Sequence, residues 1–276
     1  MRIDAHQHFW NYSQDAYGWI SNEMPEIRKS FGPDQLQPLL EENDLDACVS
    51  VQARQSIEEN EYLLSLAGKY DFIKGVVGWV DLRSDKIEED LKKYQVFPKM
   101  KGFRHVLQDE PDDNFMLQNA FVNGVKKSFE YGYTYDILIY ETQLPSTVKF
   151  LEHFDSQAFV LDHIAKPMIK VGKTRNWEKG IRTLAQYKQL YCKISGMVTE
   201  AKLKQWKYED FLPFLDIIVD TFGVDRIMFG SDWPVCLLGS ESYGEMKGII
   251  DRYFQNYTEE DRAKIFGGNA ISFYKL

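Results

Sequence analysis

The sequence lacks the long apolar stretch that a membrane-spanning helix requires. No segment of its 276 residues approaches the roughly 18 uncharged apolar residues of a membrane span. The first residues, MRIDAHQHFW, do not contain an apolar run of signal-peptide length either. We therefore expect a protein that neither spans a membrane nor is anchored to one.

Cysteine and positive charge are also scarce. Cys48, Cys192 and Cys236 are far apart and odd in number, which favours free thiols in a reducing compartment over a disulfide framework. The formal net charge is -9 and no dense run of lysine and arginine occurs, so binding to a polyanion such as nucleic acid is disfavoured. We expect a cytoplasmic protein with a small molecule as its partner. No pattern in the sequence predicts the oligomeric state.

What the sequence does contain is the composition of one globular domain. Hydrophobic residues make up 44% of the chain and charged residues 27%. A chain of this length buries roughly three quarters of the surface that it exposes when unfolded. Because no linker rich in proline, glycine or serine, no low-complexity tract and no repeat divides the chain, we predict a single domain over residues 1–276.

Short apolar or β-branched runs recur along the chain, and each is followed by a longer stretch with helical spacing. The eight runs are 2–6, 46–51, 72–80, 100–106, 133–139, 158–162, 189–195 and 226–230. This alternation predicts an α/β fold with a parallel sheet. Periodicity alone leaves open whether the sheet closes into a (β/α)8 barrel or spreads into an open doubly wound sheet. Residues 11–38 have weak periodicity and are predicted to form a long loop, which in a barrel would lie over the mouth.

Polar side chains follow several of the predicted strands, at the ends where barrel enzymes build their active sites. They are His6 and His8 on the first strand, Arg104 and His105 on the fourth, Asp162 and His163 on the sixth, and Asp232 after the eighth. A lone His-x-His pair is more often two partly solvated histidines, and Asp232 in a GSDWP segment resembles an ordinary turn residue. Their recurrence at strand ends favours a functional site instead.

Strand geometry places the two N-terminal histidines on one face. Residues two apart on a strand point the same way with Cα atoms about 7 Å apart, so His6 and His8 could bind one ion. In a closed barrel, the strands that carry His163 and Asp232 lie near the first strand on the same side. Imidazole nitrogens and a carboxylate suit zinc or a similar divalent ion. We predict that these four residues converge.

The chain resembles the amidohydrolase superfamily, and more narrowly its amidohydrolase-related branch, which contains L-fuconolactonase, L-rhamnonolactonase and 2-pyrone-4,6-dicarboxylate lactonase. The resemblance covers effectively the whole chain and rests on His6-Gln7-His8, the GFRH segment at 102–105, LDHIAKP at 161–167 and FGSDWP at 229–234, in this order. It implies a (β/α)8 barrel and an enzyme that opens a sugar-acid lactone.

The resemblance also implies roles for individual residues. Asp232 would be the general base that activates water, with His6, His8 and His163 as further catalytic residues. These four residues would hold a metal ion if one is bound. The substrate would be bound by Arg104, His105, Lys166, Trp233 and Trp10. For Arg104 and Lys166, an ion pair at the rim and a solvated loop residue are the competing interpretations.

The chain departs from superfamily members that hold two metal ions through a carboxylated lysine. Its fifth strand, YTYDILIY, has no histidine, and the fourth strand ends in Arg104 and His105. We therefore expect at most one divalent ion, with zinc as first choice, or a metal-independent enzyme. Two other functions stay open: a carbon-carbon lyase that decarboxylates an aromatic or unsaturated acid, and a sugar-binding barrel without catalysis.

Overall fold

The computed structural model describes residues 1–172 and 174–276 and contains an eight-stranded parallel sheet. Its order follows the chain from the first strand to the eighth, and every consecutive pair is parallel. The strands are β1 (Ile3–Gln7), β2 (Ala47–Val51), β3 (Ile73–Gly78), β4 (Met100–Val106), β5 (Thr134–Leu138), β6 (Phe159–Leu161), β7 (Leu190–Ile194) and β8 (Ile227–Phe229). Each lies within or overlaps a predicted run.

The sheet closes because the first strand also contacts the last. Gln7 forms a parallel bridge with Trp233. The His8 N–H donates to the carbonyl of Trp233 at 2.7 Å, and the Asp232 N–H donates to the carbonyl of His6 at 2.8 Å. The (β/α)8 barrel implied by the resemblance is confirmed, and the open sheet that periodicity left possible is excluded.

Helices between the strands and after the last strand pack around the barrel. They are α1 (Pro33–Glu42), α2 (Ile57–Lys69), α3 (Ile87–Tyr94), α4 (Asn119–Glu130), α5 (Leu144–Leu151), α6 (Arg175–Leu184), α7 (Met197–Glu200), α8 (Leu212–Phe222), α9 (Tyr243–Tyr253), α10 (Glu259–Ala263) and α11 (Asn269–Tyr274). Helix α6 shows why they form here, since Trp177, Ile181 and Leu184 recur at helical spacing and are buried on one face. Among the helices of the described residues, none combines the length and the apolar character needed to cross a membrane.

The first long loop is shorter than predicted. The prediction of irregular structure through residue 38 is wrong from Pro33 onward, because helix α1 begins there. Proline fits the first helical turn, where its missing N–H needs no partner. Leu36 and Leu40, one turn apart, are buried and hold this helix against the barrel.

The interior of the barrel is filled with side chains rather than open. One buried apolar cluster combines residues of several strands with the C-terminal helix α11: Ile3, Ala5, Ala47, Val49, Val51, Val77, Val160, Met228, Ala270, Phe273 and Tyr274. A packed interior of this kind leaves the loops at the carboxyl ends of the strands as the place for a site.

Candidate active site

Three imidazole rings surround one carboxylate oxygen at the mouth of the barrel. Oδ1 of Asp232 lies 3.2 Å from Nε2 of His8, 3.9 Å from Nε2 of His6 and 3.9 Å from Nε2 of His163. All four side chains are buried. The structure thus brings together four residues that lie up to 226 positions apart in the sequence.

A left-handed turn after β6 presents two of the predicted residues. His163, Ile164, Ala165 and Lys166 have φ values of 53°, 50°, 58° and 46°. Left-handed helical backbone costs L-residues roughly 1–2 kcal/mol each, so tertiary contacts must hold the turn. One of them is the indole N–H of Trp177, which donates to the carbonyl of Ile164 at 2.7 Å. The turn buries Ile164 and Ala165 and directs His163 and Lys166 into a cavity.

The ring of His8 indicates that a proton or a cation belongs between it and Asp232. Nδ1 of His8 lies 2.8 Å from the carbonyl oxygen of Val51, which can only accept, so this nitrogen carries the hydrogen. In the neutral ring, Nε2 then presents a lone pair to the Asp232 carboxylate 3.2 Å away. Two acceptors at this distance need a shared proton or a positive ion. One potential metal-ligand atom from each of His6, His8 and Asp232 lies within 4.8 Å of the other two, so this set can hold a metal ion.

Burial and neighbouring charges set the protonation states of His6, His163 and Asp232. Burial lowers the pKa of His6 and of His163 well below the usual value, so both rings are neutral near pH 7. Burial by itself would raise the pKa of Asp232, but His163, His8 and Lys166 hold that pKa below its usual range. The centre therefore combines the neutral imidazoles of His6 and His163 with an ionised carboxylate.

A buried network of charges lies next to His6. Arg104 Nη1 is 2.9 Å from Asp162 Oδ2, and Lys193 Nζ is 3.0 Å from Asp162 Oδ1 and 2.5 Å from Asp136 Oδ2. Nδ1 of His6 lies 3.2 Å from Lys193 Nζ and 3.3 Å from Asp162 Oδ1. Two cations and two carboxylates balance one another, as buried charges require.

Sequence reasoning did not select Lys193 or Asp136, although a signal for them existed. Each is a charged residue within an otherwise apolar strand, in LYCKI and TYDIL. Charged residues are almost never fully buried unless they are paired. Two of opposite sign in buried strands therefore predict contact with each other. The hydroxyl of Tyr274 adds a hydrogen bond to Asp136 at 2.7 Å, which ties helix α11 to the network.

The cavity above Asp232 has a volume of about 360 Å³. Of the predicted site residues, His8, His163, Asp232, Arg104 and Lys166 line it. His6 lies beneath them. Trp19, on the first loop that was predicted to lie over the mouth, also lines the cavity. The other wall residues were not predicted: Ala53, Arg54, Gln55, Val106, Gln108, Asp109, Glu110, Leu138 and Val235. Most of them lie on the loops that follow β2 and β4. Loop residues show no periodic pattern from which the direction of their side chains could be predicted.

His105, predicted to bind substrate, lies away from the cavity. Residues alternate along a strand, so Arg104 points into the barrel and His105 points towards the helices. Its Nε2 lies 2.7 Å from Glu110 Oε1, and its ring stacks on Phe115 with centroids 4.9 Å apart. The alternation along the strand explains why only Arg104 of these two adjacent polar residues lines the cavity.

The two predicted tryptophans also pack elsewhere than on the cavity wall. Trp233 contacts Phe31 with ring centroids 5.2 Å apart. Trp10 packs on the same phenylalanine at 5.6 Å, and its indole N–H donates to the carbonyl of Lys29 at 2.7 Å. Both are buried. Both tryptophans pack against Phe31 of the first loop. Trp19, which is 39% exposed, lines the cavity instead.

A family model described as amidohydrolase matches residues 3–276. The chain belongs to the amidohydrolase family. Among its relatives, an L-fucono-1,5-lactonase of Burkholderia multivorans is 38% identical over 100% of this chain and 96% of the relative. An L-fucono-1,5-lactonase of Burkholderia ambifaria is 34% identical over 100% of this chain and 96% of that protein.

A solved structure agrees with this membership. The crystal structure of an amidohydrolase from Burkholderia multivorans with bound zinc has a TM-score of 0.95 to this chain at 38% identity, and the match covers 100% of this chain and 99% of the other. The family resemblance drawn from the HxH, DHIAKP and GSDWP segments is therefore confirmed.

Proposed function

We propose that this amidohydrolase hydrolyses a sugar-acid lactone, with an L-fuconolactone-like aldonolactone as the first choice of substrate. The observation that carries the proposal is the meeting of the Asp232 carboxylate with three imidazoles at the floor of a cavity of about 360 Å³. That volume suits one small ligand. The two lactonases that match this chain over its whole length support the same reaction class.

Asp232 acts as the base in this proposal. As an ionised carboxylate at the cavity floor, it takes a proton from the attacking water while the water oxygen bonds to the lactone carbonyl carbon. The bond from that carbon to the ring oxygen then breaks, and Asp232 returns the proton to the departing oxygen. The product is a hydroxy acid, which ionises to a carboxylate and a proton.

Arg104 and Lys166 stabilise the negative charge that develops on the carbonyl oxygen. Both side chains line the cavity beside Asp232. Preorganised positive groups in a partly buried site are typically worth several kcal/mol in the transition state. Their charges also suit the carboxylate of the product.

His6, His8, His163 and Asp232 are the residues that would hold a divalent ion, with zinc as our choice. The lone pair of His8 Nε2 facing the Asp232 carboxylate supports a cation at this point. When bound, zinc supplies Lewis-acid polarisation of a carbonyl and makes water more acidic. In the absence of an ion, His163 is the imidazole that can donate a hydrogen bond to the oxyanion from Nε2, because Nδ1 of its ring contacts the Ser195 hydroxyl and Nε2 of neutral His8 carries no hydrogen.

Turnover of a lactone panel by protein of known metal content tests this function. We expect hydrolysis of at least one of L-fucono-, L-rhamnono- and L-galactono-lactone. The reaction is measured by the proton that the hydroxy acid product releases. The metal content is measured before and after chelation, and a loss of rate that zinc restores assigns the ion. If all the lactones are inert and an aromatic acid loses carbon dioxide, the decarboxylase alternative replaces this proposal.

A further inference from the structure

The strand that carries His6 contains an irregularity. From Asp4 to Gln7, β1 advances three residues while its partner strand β2 advances only two. This is a β-bulge, and its extra residue changes which side chains face inward. Ala5 packs in the interior cluster, and the next residue, His6, also points inward, with Nδ1 3.2 Å from Lys193 Nζ. The bulge therefore directs His6 into the site.

The carboxylate of Asp4 holds three segments of the chain together at this bulge. Its Oδ1 accepts the N–H of His6 at 3.1 Å and the N–H of Ser231 at 2.8 Å, and its Oδ2 accepts the hydroxyl of Tyr243 at 2.9 Å. The side chain has no exposed surface, so its oxygens depend on these three donors. Asp4 thus joins the bulge of β1, the turn after β8 and helix α9. The first two of these segments carry His6 and Asp232.

The turn after β8 depends on contacts of this kind. Asp232 has a φ of 57°, in the left-handed region that is unfavourable for residues other than glycine. Its N–H donates to the carbonyl of His6 at 2.8 Å. A Cβ on Gly230 would lie only 2.7 Å from Cβ of His6, so the backbone that follows β8 passes directly against this histidine. The distance between the His6 ring and the Asp232 carboxylate is therefore set by how β1 lies against this turn.

We propose that Asp4 is a positioning residue of the active centre. By accepting the N–H groups of His6 and Ser231 with one oxygen, it fixes the backbone of both segments and so the distance between the His6 ring and the Asp232 carboxylate. Asp4 acts through the backbone, because a side chain without exposed surface does not touch the substrate. Displacing a reacting group by about 1 Å costs roughly 100-fold in rate. The kinetic part of this inference rests on the proposed lactonase function.

Two substitutions of Asp4 separate its hydrogen bonds from its charge. Asp4→Asn keeps an oxygen for both N–H groups, and its amide can donate to the hydroxyl oxygen of Tyr243. Asp4→Leu replaces both oxygens with methyl groups, which accept nothing. With L-fucono-1,5-lactone, we expect Asp4→Leu to lower kcat about 100-fold and to leave KM within about threefold, because the cavity wall is intact. Asp4→Asn should keep kcat within about fivefold of wild type.

Asn269→Leu is the matched control, at a buried hydrogen-bonding group near the other end of β8. The amide of Asn269 donates to the carbonyls of Val224 and Ile227 at 2.7 Å each, and Ile227 begins the strand. We expect this variant to lose unfolding free energy in urea, as Asp4→Leu does, and to keep kcat within about twofold of wild type.

Three results of this comparison overturn the proposal. An equal fall in kcat for the two leucine variants does so, since lost stability would then explain both. An unchanged kcat in Asp4→Leu does so as well. The third is a kcat of Asp4→Asn as low as that of Asp4→Leu, because the two hydrogen bonds would then not be the cause.

Tyr243→Phe decides the matter if Asp4→Leu does not fold. It removes only the hydrogen bond to Oδ2 of Asp4. We expect kcat to fall about fivefold, the effect of one lost hydrogen bond, with KM within about twofold of wild type. An unchanged kcat in this variant overturns the proposal.

NMR signals of the imidazole rings test the positioning without turnover. The chain has five histidines, three at the centre (His6, His8 and His163) and two elsewhere (His105 and His153). In Asp4→Leu, or in Tyr243→Phe in its place, the ring signals of the first three should shift, whereas those of the other two should not. If wild-type protein hydrolyses no lactone, the proposed reaction fails, and these signals alone decide the role of Asp4. Unshifted signals of the three central rings overturn it.

Discussion

The floor and the rim of the cavity differ in the kind of contact that holds them. At the floor, Asp162 contacts Arg104 and Lys193, and these charges enclose His6. At the rim, which the loops after β2 and β4 form, Gln55 Oε1 accepts a hydrogen bond from the N–H of Val106 at 2.8 Å and so joins the two loops. Groups that perform chemistry gain from being fixed before the substrate arrives.

The two regions also differ in what supports them. The floor is built on strand ends and inward-facing strand residues of the barrel, such as Lys193 on β7. The rim is built on loops, and one buried side chain, Glu59 on α2, holds the Arg54 loop. Substitutions at the floor should therefore have larger effects than substitutions at the rim.

The largest expected effect is the loss of the carboxylate at the floor. Asp232→Asn should lower kcat/KM about 1,000-fold, because an amide cannot take a proton from water. Steady-state kinetics measures the loss. The control is Asp109→Asn, at a carboxylate of the rim, which should change kcat/KM much less. A similar loss in both variants would show that floor and rim carboxylates act alike and would end the assignment of Asp232 as the base.

The next effect concerns stability rather than rate. Lys193→Met leaves Asp136 and Asp162 buried with one cation fewer, and breaking a buried pair in this way costs roughly 3–5 kcal/mol of unfolding free energy. Denaturant unfolding measures the change. Lys93→Met removes the same charge from an exposed pair with Glu61 and should stay within about 1 kcal/mol. Equal values for the two variants would contradict a floor that is held by buried charges.

The smallest expected effect is a pH dependence of stability that comes from Glu59, which holds the loop after β2. Burial raises the pKa of Glu59 to about 7 from 4.5. Because the folded state binds this proton more tightly than the unfolded state, the stability it contributes is fully present below pH 4.5 and is lost as the pH rises through about 7. Wild type should therefore lose roughly 1–3 kcal/mol relative to Glu59→Gln between pH 4 and pH 8.

Urea unfolding of both proteins at several pH values measures this difference. The glutamine keeps an oxygen for the N–H groups of Ala53 and Arg54, and its amide can donate to the Tyr17 hydroxyl. The variant should thus keep the loop and its rate on the fuconolactone. Parallel stability curves for the two proteins would mean that Glu59 ionises no more easily in the unfolded chain than in the folded one.

Several site residues followed from strand pattern alone. His6, His8, His163 and Asp232 could be assigned to strand ends because apolar runs mark strands and polar residues at their carboxyl ends stand out. The position at a strand end did not by itself give the direction of His105, which the alternation of side chains along β4 turns away from Arg104. Arg54 and Gln108 gave no such signal, because a loop residue has no periodic neighbours from which its direction can be inferred.

The sequence by itself determined the eight strands, the family and the set of residues at the strand ends, since hydrophobic periodicity and motif order are local properties of the chain. Only the tertiary structure decided that β1 meets β8, that Asp162 lies between Arg104 and Lys193, and that Gln55 joins two rim loops at Val106. These contacts join residues far apart in the chain. They depend on closure of the barrel and on buried charges finding partners, which no local pattern encodes.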